Sequence, residues 1–306
     1  MTTRNVLDAY VDHVMSFIDP AIIKPFNVVL DAGSGMGGLI APQALRSRCP
    51  AETTRLCFEI DGRFPNHEAN PLIEENRRDI VERVIAEKAD VGIAWDGDAD
   101  RCFFIDGTGE FVSGDFITAL LAEAFLLKHP GATIIYDLRA SYAVKDIVAR
   151  YGGTSLMNRV GHAFFKKRMR ETNGIFGGEV TGHYYFRDNF YADNGFIPAL
   201  LILELMSKKG QSLHAAARSR WRRSYFISGE INTKLAQHGS RAGEAGRDRR
   251  ALRGRPAAYD STASRSSIRT GTSTCGRRTP SRCCGSISRR RRRTLMAQKR
   301  DEVHRR

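Results

Sequence analysis

Asp96, Asp98 and Asp100 alternate along DGDADR, directly after the apolar run VGIAW (91–95), with Arg101 closing the set. Three carboxylates on one short loop can turn their oxygens toward a single point, the donor set that a hard divalent cation such as Mg²⁺ requires. A calcium loop of the EF-hand type also begins D-x-D-x-D, but it needs glycine at its sixth position and glutamate at its twelfth. Those places hold Arg101 and Gly107, so the calcium reading fails. A plain polar turn between strands is the bland alternative; the metal site is the better account of the spacing.

Three other stretches carry chemistry. In GGEVTGHYYF (177–186), Glu179, Thr181 and His183 alternate on a glycine-flanked loop and can present a carboxylate and a hydroxyl to a polyhydroxy ligand such as a sugar. A polar edge strand has the same pattern. In RVGHAFFKKRMR (159–170), His162 precedes a helix bearing Lys166, Lys167, Arg168 and Arg170, which can face an anionic substrate. Arg139, in YDLRAS, is a similar candidate. The turn DAGSGMGG (31–38) satisfies G-x-G-x-x-G through Gly33, Gly35 and Gly38, and Glu59 lies where a dinucleotide-binding protein holds the ribose. On its own that turn fits an NAD(P) site and a structural strand-to-helix turn equally well.

The elements that must position these residues alternate between apolar strands and amphipathic helices, the pattern of an α/β protein. NVVLD (27–31), RLCFEI (55–60), VGIAW (91–95), CFFID (102–106) and TIIYD (133–137) read as strands. Helices are expected over 115–131 with Ser113 as N-cap, from Tyr142, over 163–172 and over about 195–208. The longest apolar run, FIPALLILELM (196–206), is too short to span a bilayer and contains Glu204. No membrane association is expected. The six cysteines show neither zinc spacing nor a disulfide framework, and a reducing, cytoplasmic setting is expected.

The net charge of +14 is unevenly placed. Residues 236–306 hold 20 Lys+Arg against 5 Asp+Glu, a net +15, which leaves 1–235 at −1. The body therefore gives no reason to expect a nucleic-acid partner; a binder acting through the basic tail is the competing class.

Taken together, DAGSGMGG, FPNHEANPL (64–72), DGDADR, YDLRAS, RVGHAFFKKRM and GGEVTGHYYFRD resemble the α-D-phosphohexomutases, in particular phosphomannomutase/phosphoglucomutase, from about residue 5 to about 230. The resemblance implies consecutive mixed sheets flanked by helices: a metal-loop domain over 1–108, a sugar-binding domain over 109–230 and a degenerate fourth domain over 231–306. It implies that Asp96, Asp98 and Asp100 hold Mg²⁺, that Arg101, His162 and Arg139 serve the phosphoryl group, and that Glu179, Thr181 and His183 grip the sugar. Thr181 stands where serine is common. The implied reaction moves a phosphoryl group between O1 and O6 of a mannose or glucose phosphate through a phosphoserine and a bisphosphorylated intermediate. It also makes the glycine turn structural and removes the nicotinamide.

Two departures matter. No T-A-S-H-N-P serine loop occurs; STASRSS (261–267) lacks the His-Asn-Pro. The chain as written is expected to be inactive, and an upstream product carrying the serine domain is the partner to look for. The Arg-rich end is expected to be irregular and without a core. Codons formed one base out of register over 260–288 nevertheless permit PDWHFNVRPSNTEPLLRLNL, which contains the family's R-P-S-N-T-E-P phosphate-binding signature. Two compensating frameshifts, one within 233–260 and one near 288–296, account for this better than a selected basic arm.

Overall fold

A computed structural model of the chain describes residues 4–46, 48–217, 225–227, 231–234, 258–260, 263–268, 271–277 and 283–290. One compact unit takes in Met1–Ala140 and Val144–Ser219. It holds two five-stranded sheets laid out on the same plan. In the first, β1 (Asn27–Asp31), β2 (Glu52–Leu56) and β3 (Val91–Trp95) run parallel, and β4 (Cys102–Asp106) and β5 (Phe111–Val112) return antiparallel, in the order β2-β1-β3-β4-β5. In the second, β6 (Thr133–Asp137), β7 (Thr154–Asn158) and β8 (Phe176–Gly178) are parallel. Strands β9 (Tyr184–Phe186) and β10 (Ala192–Asp193) are antiparallel, giving β10-β9-β8-β6-β7.

Strands β1, β3, β4 and β6 coincide with the apolar runs read from sequence, because strands buried on both faces are continuously apolar. Strand β2 differs: it is an edge strand, it pairs over 52–56 rather than 55–60, and Cys57 then leaves it at φ 53°. Strand β5, just past the division expected at residue 108, still belongs to the first sheet through Phe104–Val112 pairing.

The helices are α1 (Leu7–Met15), α2 (Gly37–Ala41), α3 (Arg78–Glu87), α4 (Gly114–Lys128), α5 (Tyr142–Arg150), α6 (His162–Thr172), α7 (Phe196–Lys209) and α8 (Leu213–Ala217). Ser113 does stand at the N-cap of α4, but its backbone carbonyl, not its side chain, accepts the first helical bonds. Helices α4 and α7 pack on each other, α4 also against β8 and α7 against β4, and both are buried along nearly their whole length. A helix enclosed on every side is apolar all round, which explains the run at 196–206. Among the described residues no helix is long and apolar enough to cross a membrane.

Glu204 is the exception inside α7. Its carboxylate, 2 % exposed, accepts from the Asp19 N–H at 3.1 Å and pairs with Lys208 at 2.8 Å and Lys128 at 3.2 Å. It anchors the segment after α1 to the central helix.

The first glycine turn is consumed by the chain's own packing. A Cβ on Gly35 would lie 2.4 Å from the Gly97 carbonyl oxygen and 2.8 Å from its Cα, and one on Gly38 would lie 2.3 Å from the Phe58 oxygen. The Met36 N–H donates to that same Gly97 oxygen at 2.9 Å. Where a dinucleotide-binding turn leaves backbone free for a pyrophosphate, this one is filled by the aspartate loop.

The second unit comprises Ser141–Ala143 and Arg220–Arg306. Its described residues include β11 (Phe226–Ile227), β12 (Ile231–Lys234), β13 (Ala258–Asp260), β14 (Ala263–Ile268), β15 (Gly271–Arg277) and β16 (Cys283–Arg290), antiparallel in the order β11-β16-β15-β14-β13, with β12 also on β16. Ladder pairing draws on backbone N–H and C=O groups that every residue except proline supplies, whatever the side chains. The rest of 231–306 lies outside the described residues.

Two outcomes are expected. Gly35→Ala should push the 96–101 loop off the turn and lower stability by about 1–3 kcal/mol, read from urea unfolding midpoints. Glu204→Ala should cost about 1–3 kcal/mol at neutral pH by leaving buried donors unpaired. Burial works to raise the Glu204 carboxyl, but Lys208, the Asp19 N–H and Lys128 hold it below its usual value. Its contribution is therefore complete above the ordinary glutamate range and fades as pH falls through the lower native value; parent and variant midpoints should converge in acid.

Candidate metal and sugar site

Both loops singled out from sequence occupy the same place in their sheets. Residues 96–101 join β3, the last parallel strand of the first sheet, to the antiparallel β4; residues 179–183 join β8 to β9 in the second. Such a position, beyond the carboxyl ends of parallel strands, is where open α/β sheets place ligands.

Backbone bonds lock the loops together. The Cys102 N–H donates to the Gly182 oxygen at 3.1 Å, Arg101 and His183 form an isolated antiparallel bridge, and the Gly195 N–H donates to the Ala99 oxygen at 3.2 Å. Gly182 (φ 89°) sits where a Cβ would strike the Phe103 ring. The Trp95 indole, fully buried, donates to the Gly195 oxygen at 2.9 Å and stacks on Phe196 at 5.1 Å.

One carboxylate oxygen from each of Asp96, Asp98 and Asp100 lies within 4.8 Å of the others. Asp96 is buried and Asp98 exposed; Ala99, at φ 60°, reverses the chain between Asp98 and Asp100. Arg101 fixes the first carboxylate: its Nε donates to Asp96 Oδ2 at 2.5 Å, its backbone N–H to Oδ1 at 3.1 Å, and its other guanidinium arm to Asn70 Oδ1 at 3.4 Å. Burial pushes the Asp100 carboxyl up to about 6; His183 opposes that, while Asp96 and Asp98 add to it. Crowded oxygens at this mutual distance, with one group reluctant to ionise alone, fit a hard divalent cation.

His183 links the two loops. Its Nδ1 lies 3.2 Å from Asp193 Oδ2 and 3.6 Å from Asp100 Oδ1, and the ring stacks on Tyr185. Asp193 also pairs with Lys166 at 2.8 Å. Although burial works the other way, His183 and Lys166 pull the Asp193 carboxyl down to about 2. The two aspartates flanking one imidazole are thereby driven apart, the arrangement that assigns different protonation tasks to like groups.

Glu179 is buried, and Oε1 accepts the Gly161 N–H at 2.8 Å while Thr181 Oγ1 donates to Oε2 at 3.3 Å. Burial first, then Asp137, raises its carboxyl. Arg139 is buried beneath this loop, with Nε on Asp137 Oδ2 at 2.8 Å; that oxygen also accepts the Val180 N–H at 3.3 Å. His162 opens α6 as an exposed residue. Of the basic residues of α6, Lys166 turns to the cluster through Asp193, whereas Lys167 pairs with Glu171 and Arg170 lies over Tyr191.

Asp193 was absent from the sequence reading. It stands ten residues after His183, and the β9–β10 hairpin sets it opposite Tyr185. The signal was the YYF–RDNFY–AD pattern, two short strands around a turn with positive φ at Phe190 and Tyr191.

Comparison with known proteins identifies the family. The family domain "Phosphoglucomutase/phosphomannomutase, alpha/beta/alpha domain II" matches residues 8–109, and domain III of the same description matches 113–224. The phosphomannomutase of Escherichia coli K12 is 45% identical over 238 residues, covering 76% of this chain and 52% of that protein. A protein named for phosphohexose mutases in Xanthomonas campestris is 44% identical over 233 residues, with the same 76% and 52% coverage. The chain thus spans about half the length of the curated relatives it matches. A crystal structure of a phosphoglucomutase/phosphomannomutase family protein from Burkholderia thailandensis superposes with a TM-score of 0.87 at 26% identity, over 99% of this chain and 64% of that one. The N-acetylphosphoglucosamine mutase of Aspergillus fumigatus, solved with GlcNAc-6P and magnesium, shares the fold with a TM-score of 0.66 at 13% identity, over 95% of this chain and 67% of that one. With both domain matches spanning most of the chain and two sheets built on one plan around the joined loops, this chain belongs to the phosphoglucomutase/phosphomannomutase family.

Proposed function

We propose that this chain carries the metal- and sugar-handling part of a phosphohexomutase acting on a mannose or glucose phosphate. The observation that carries the reading is the junction of the two loops, which brings Asp100 of the aspartate loop to 3.6 Å from His183 of the sugar loop. A cation and a sugar phosphate bound there share one cluster of side chains.

Asp96, Asp98 and Asp100 are the residues that hold Mg²⁺, whose chemistry when bound is to offset negative charge on a phosphoryl group. Arg101 keeps Asp96 oriented through two donors and leaves the rest of its guanidinium toward Asn70. Glu179, already set by Gly161 and Thr181, offers acceptor oxygens to sugar hydroxyls, and Thr181 a hydroxyl beside it. His183 holds a proton between Asp100 and Asp193, where a hydroxyl entering or leaving transfer can exchange it. The α6 N-terminus, which His162 opens, adds partial positive charge beside Glu179, whose Oε1 accepts the Gly161 N–H. Arg139 acts through Asp137 by positioning the Val180 backbone. The 306 residues contain no T-A-S-H-N-P loop, so turnover by them waits on a phosphoserine supplied from outside them.

Calorimetric titration checks the reading. The chain should bind Mg²⁺, and glucose 1-phosphate or mannose 6-phosphate more tightly with Mg²⁺ present. Asp98→Asn, at an exposed position, should weaken Mg²⁺ binding about tenfold without lowering the unfolding midpoint. Glu179→Gln should weaken the sugar phosphate about tenfold. Interconversion of 1- and 6-phosphates should be missing from the chain alone. Failure to bind either sugar phosphate in saturating Mg²⁺, or NADH binding in its place, sinks the proposal.

A further inference from the structure

A second cluster of possible ligands lies apart from the aspartate loop, at the ends of β1 and β2. Asp31, Cys57 and His67 each offer one atom within 4.8 Å of the others. His67 Nε2 lies 3.0 Å from Asp31 Oδ2 and 3.7 Å from Cys57 Sγ. Both neighbours therefore address the same ring nitrogen. A cysteine activated by a His–Asp relay needs the carboxylate on the opposite nitrogen; here the three atoms converge instead.

The outer contacts are those of a ligating set. His67 Nδ1 lies 3.0 Å from the Glu68 carbonyl oxygen, a partner that can only accept, so that nitrogen carries the proton and Nε2 faces inward. Asp31 Oδ1 accepts the Gly33 N–H at 2.9 Å, which leaves Oδ2 directed at His67. Cys57 sits at φ 53°, a conformation that a non-glycine residue rarely adopts, and it carries the thiol there at the very end of β2. Asp31 is fully buried, while Cys57 and His67 are partly open.

We propose that Asp31, Cys57 and His67 form a site for a borderline divalent cation of the Zn²⁺ class, separate from the all-oxygen site at 96–100. One sulfur, one imidazole nitrogen and one carboxylate oxygen suit Zn²⁺ and not Mg²⁺. Binding displaces the Cys57 thiol proton to solvent, while His67 ligates through the Nε2 lone pair that its Nδ1–H tautomer leaves free. The cation staples the 61–72 segment to the strand ends, and Asn70 in that segment reaches Arg101 of the aspartate loop at 3.4 Å.

The test is Co²⁺ added to the full chain as a spectroscopic stand-in. One equivalent should produce a thiolate-to-metal charge-transfer band that Zn²⁺ abolishes and Mg²⁺ does not. The band should be lost in Cys57→Ser, whose fold is checked by circular dichroism and its urea midpoint, and kept in Asp98→Asn. X-ray absorption on the parent chain with one equivalent of Zn²⁺ should show one sulfur scatterer and needs no variant. No band at one equivalent, a band unchanged in Cys57→Ser, or a sulfur-free zinc shell overturns the site.

Discussion

Everything in the cluster depends on a backbone seam between two hairpin connections. Neither Asp100 nor His183 has any local reason to meet the other; they are 83 residues apart in sequence. What joins them is main-chain pairing, Cys102 to Gly182 and Gly195 to Ala99, reinforced by the Trp95 indole on the Gly195 oxygen. Such bonds inside a buried region are obligatory, since an unpaired amide there costs more than the bond returns. The side chains inherit their separation from the seam. Glycines at 182 and 195 are required by it, because each stands where a Cβ would meet backbone or ring atoms.

The repeated plan of the two sheets gives the seam its symmetry. Each sheet changes from parallel to antiparallel at its third strand, and each change point carries one of the two joined loops, 96–101 and 179–183. The first strand of each sheet also ends in an aspartate that caps its own turn: Asp31 accepts from Gly33, and Asp137 from Arg139. The first of these then reaches His67, the second Arg139. One scaffold device thus supports a cationic side chain behind each loop. Helices α4 and α7 fill the space between, so that the sheets share buried apolar surface as well as hydrogen bonds.

Much of this is legible in the sequence where a local pattern has a single physical meaning. DGDADR announces convergent oxygens, and runs such as VGIAW and CFFID announce strands buried on both faces. Edge strands are less determined: RLCFEI is apolar enough to pass for a central strand, yet β2 pairs three residues earlier and lets Cys57 turn away. The glycine turn is ambiguous until Gly97 and Phe58 are seen against it. Asp193 is legible only as part of a short hairpin, its approach to His183 being set by the register, and the Asp31–Cys57–His67 convergence is not legible at all, because it arises from strand ends brought side by side. Arg139 reads in the sequence as a candidate to face an anionic substrate, and nothing there shows it turned to Asp137.

Trp95 has a practical consequence. It is one of two tryptophans in the chain, fully buried, hydrogen-bonded to Gly195 and stacked on Phe196 at the seam. Its indole is therefore in an apolar, fixed environment only while the first sheet stays joined to the start of α7. Parting of the seam admits water to the ring before either sheet need unfold, so its emission colour is a built-in gauge of whether the two loops are still together.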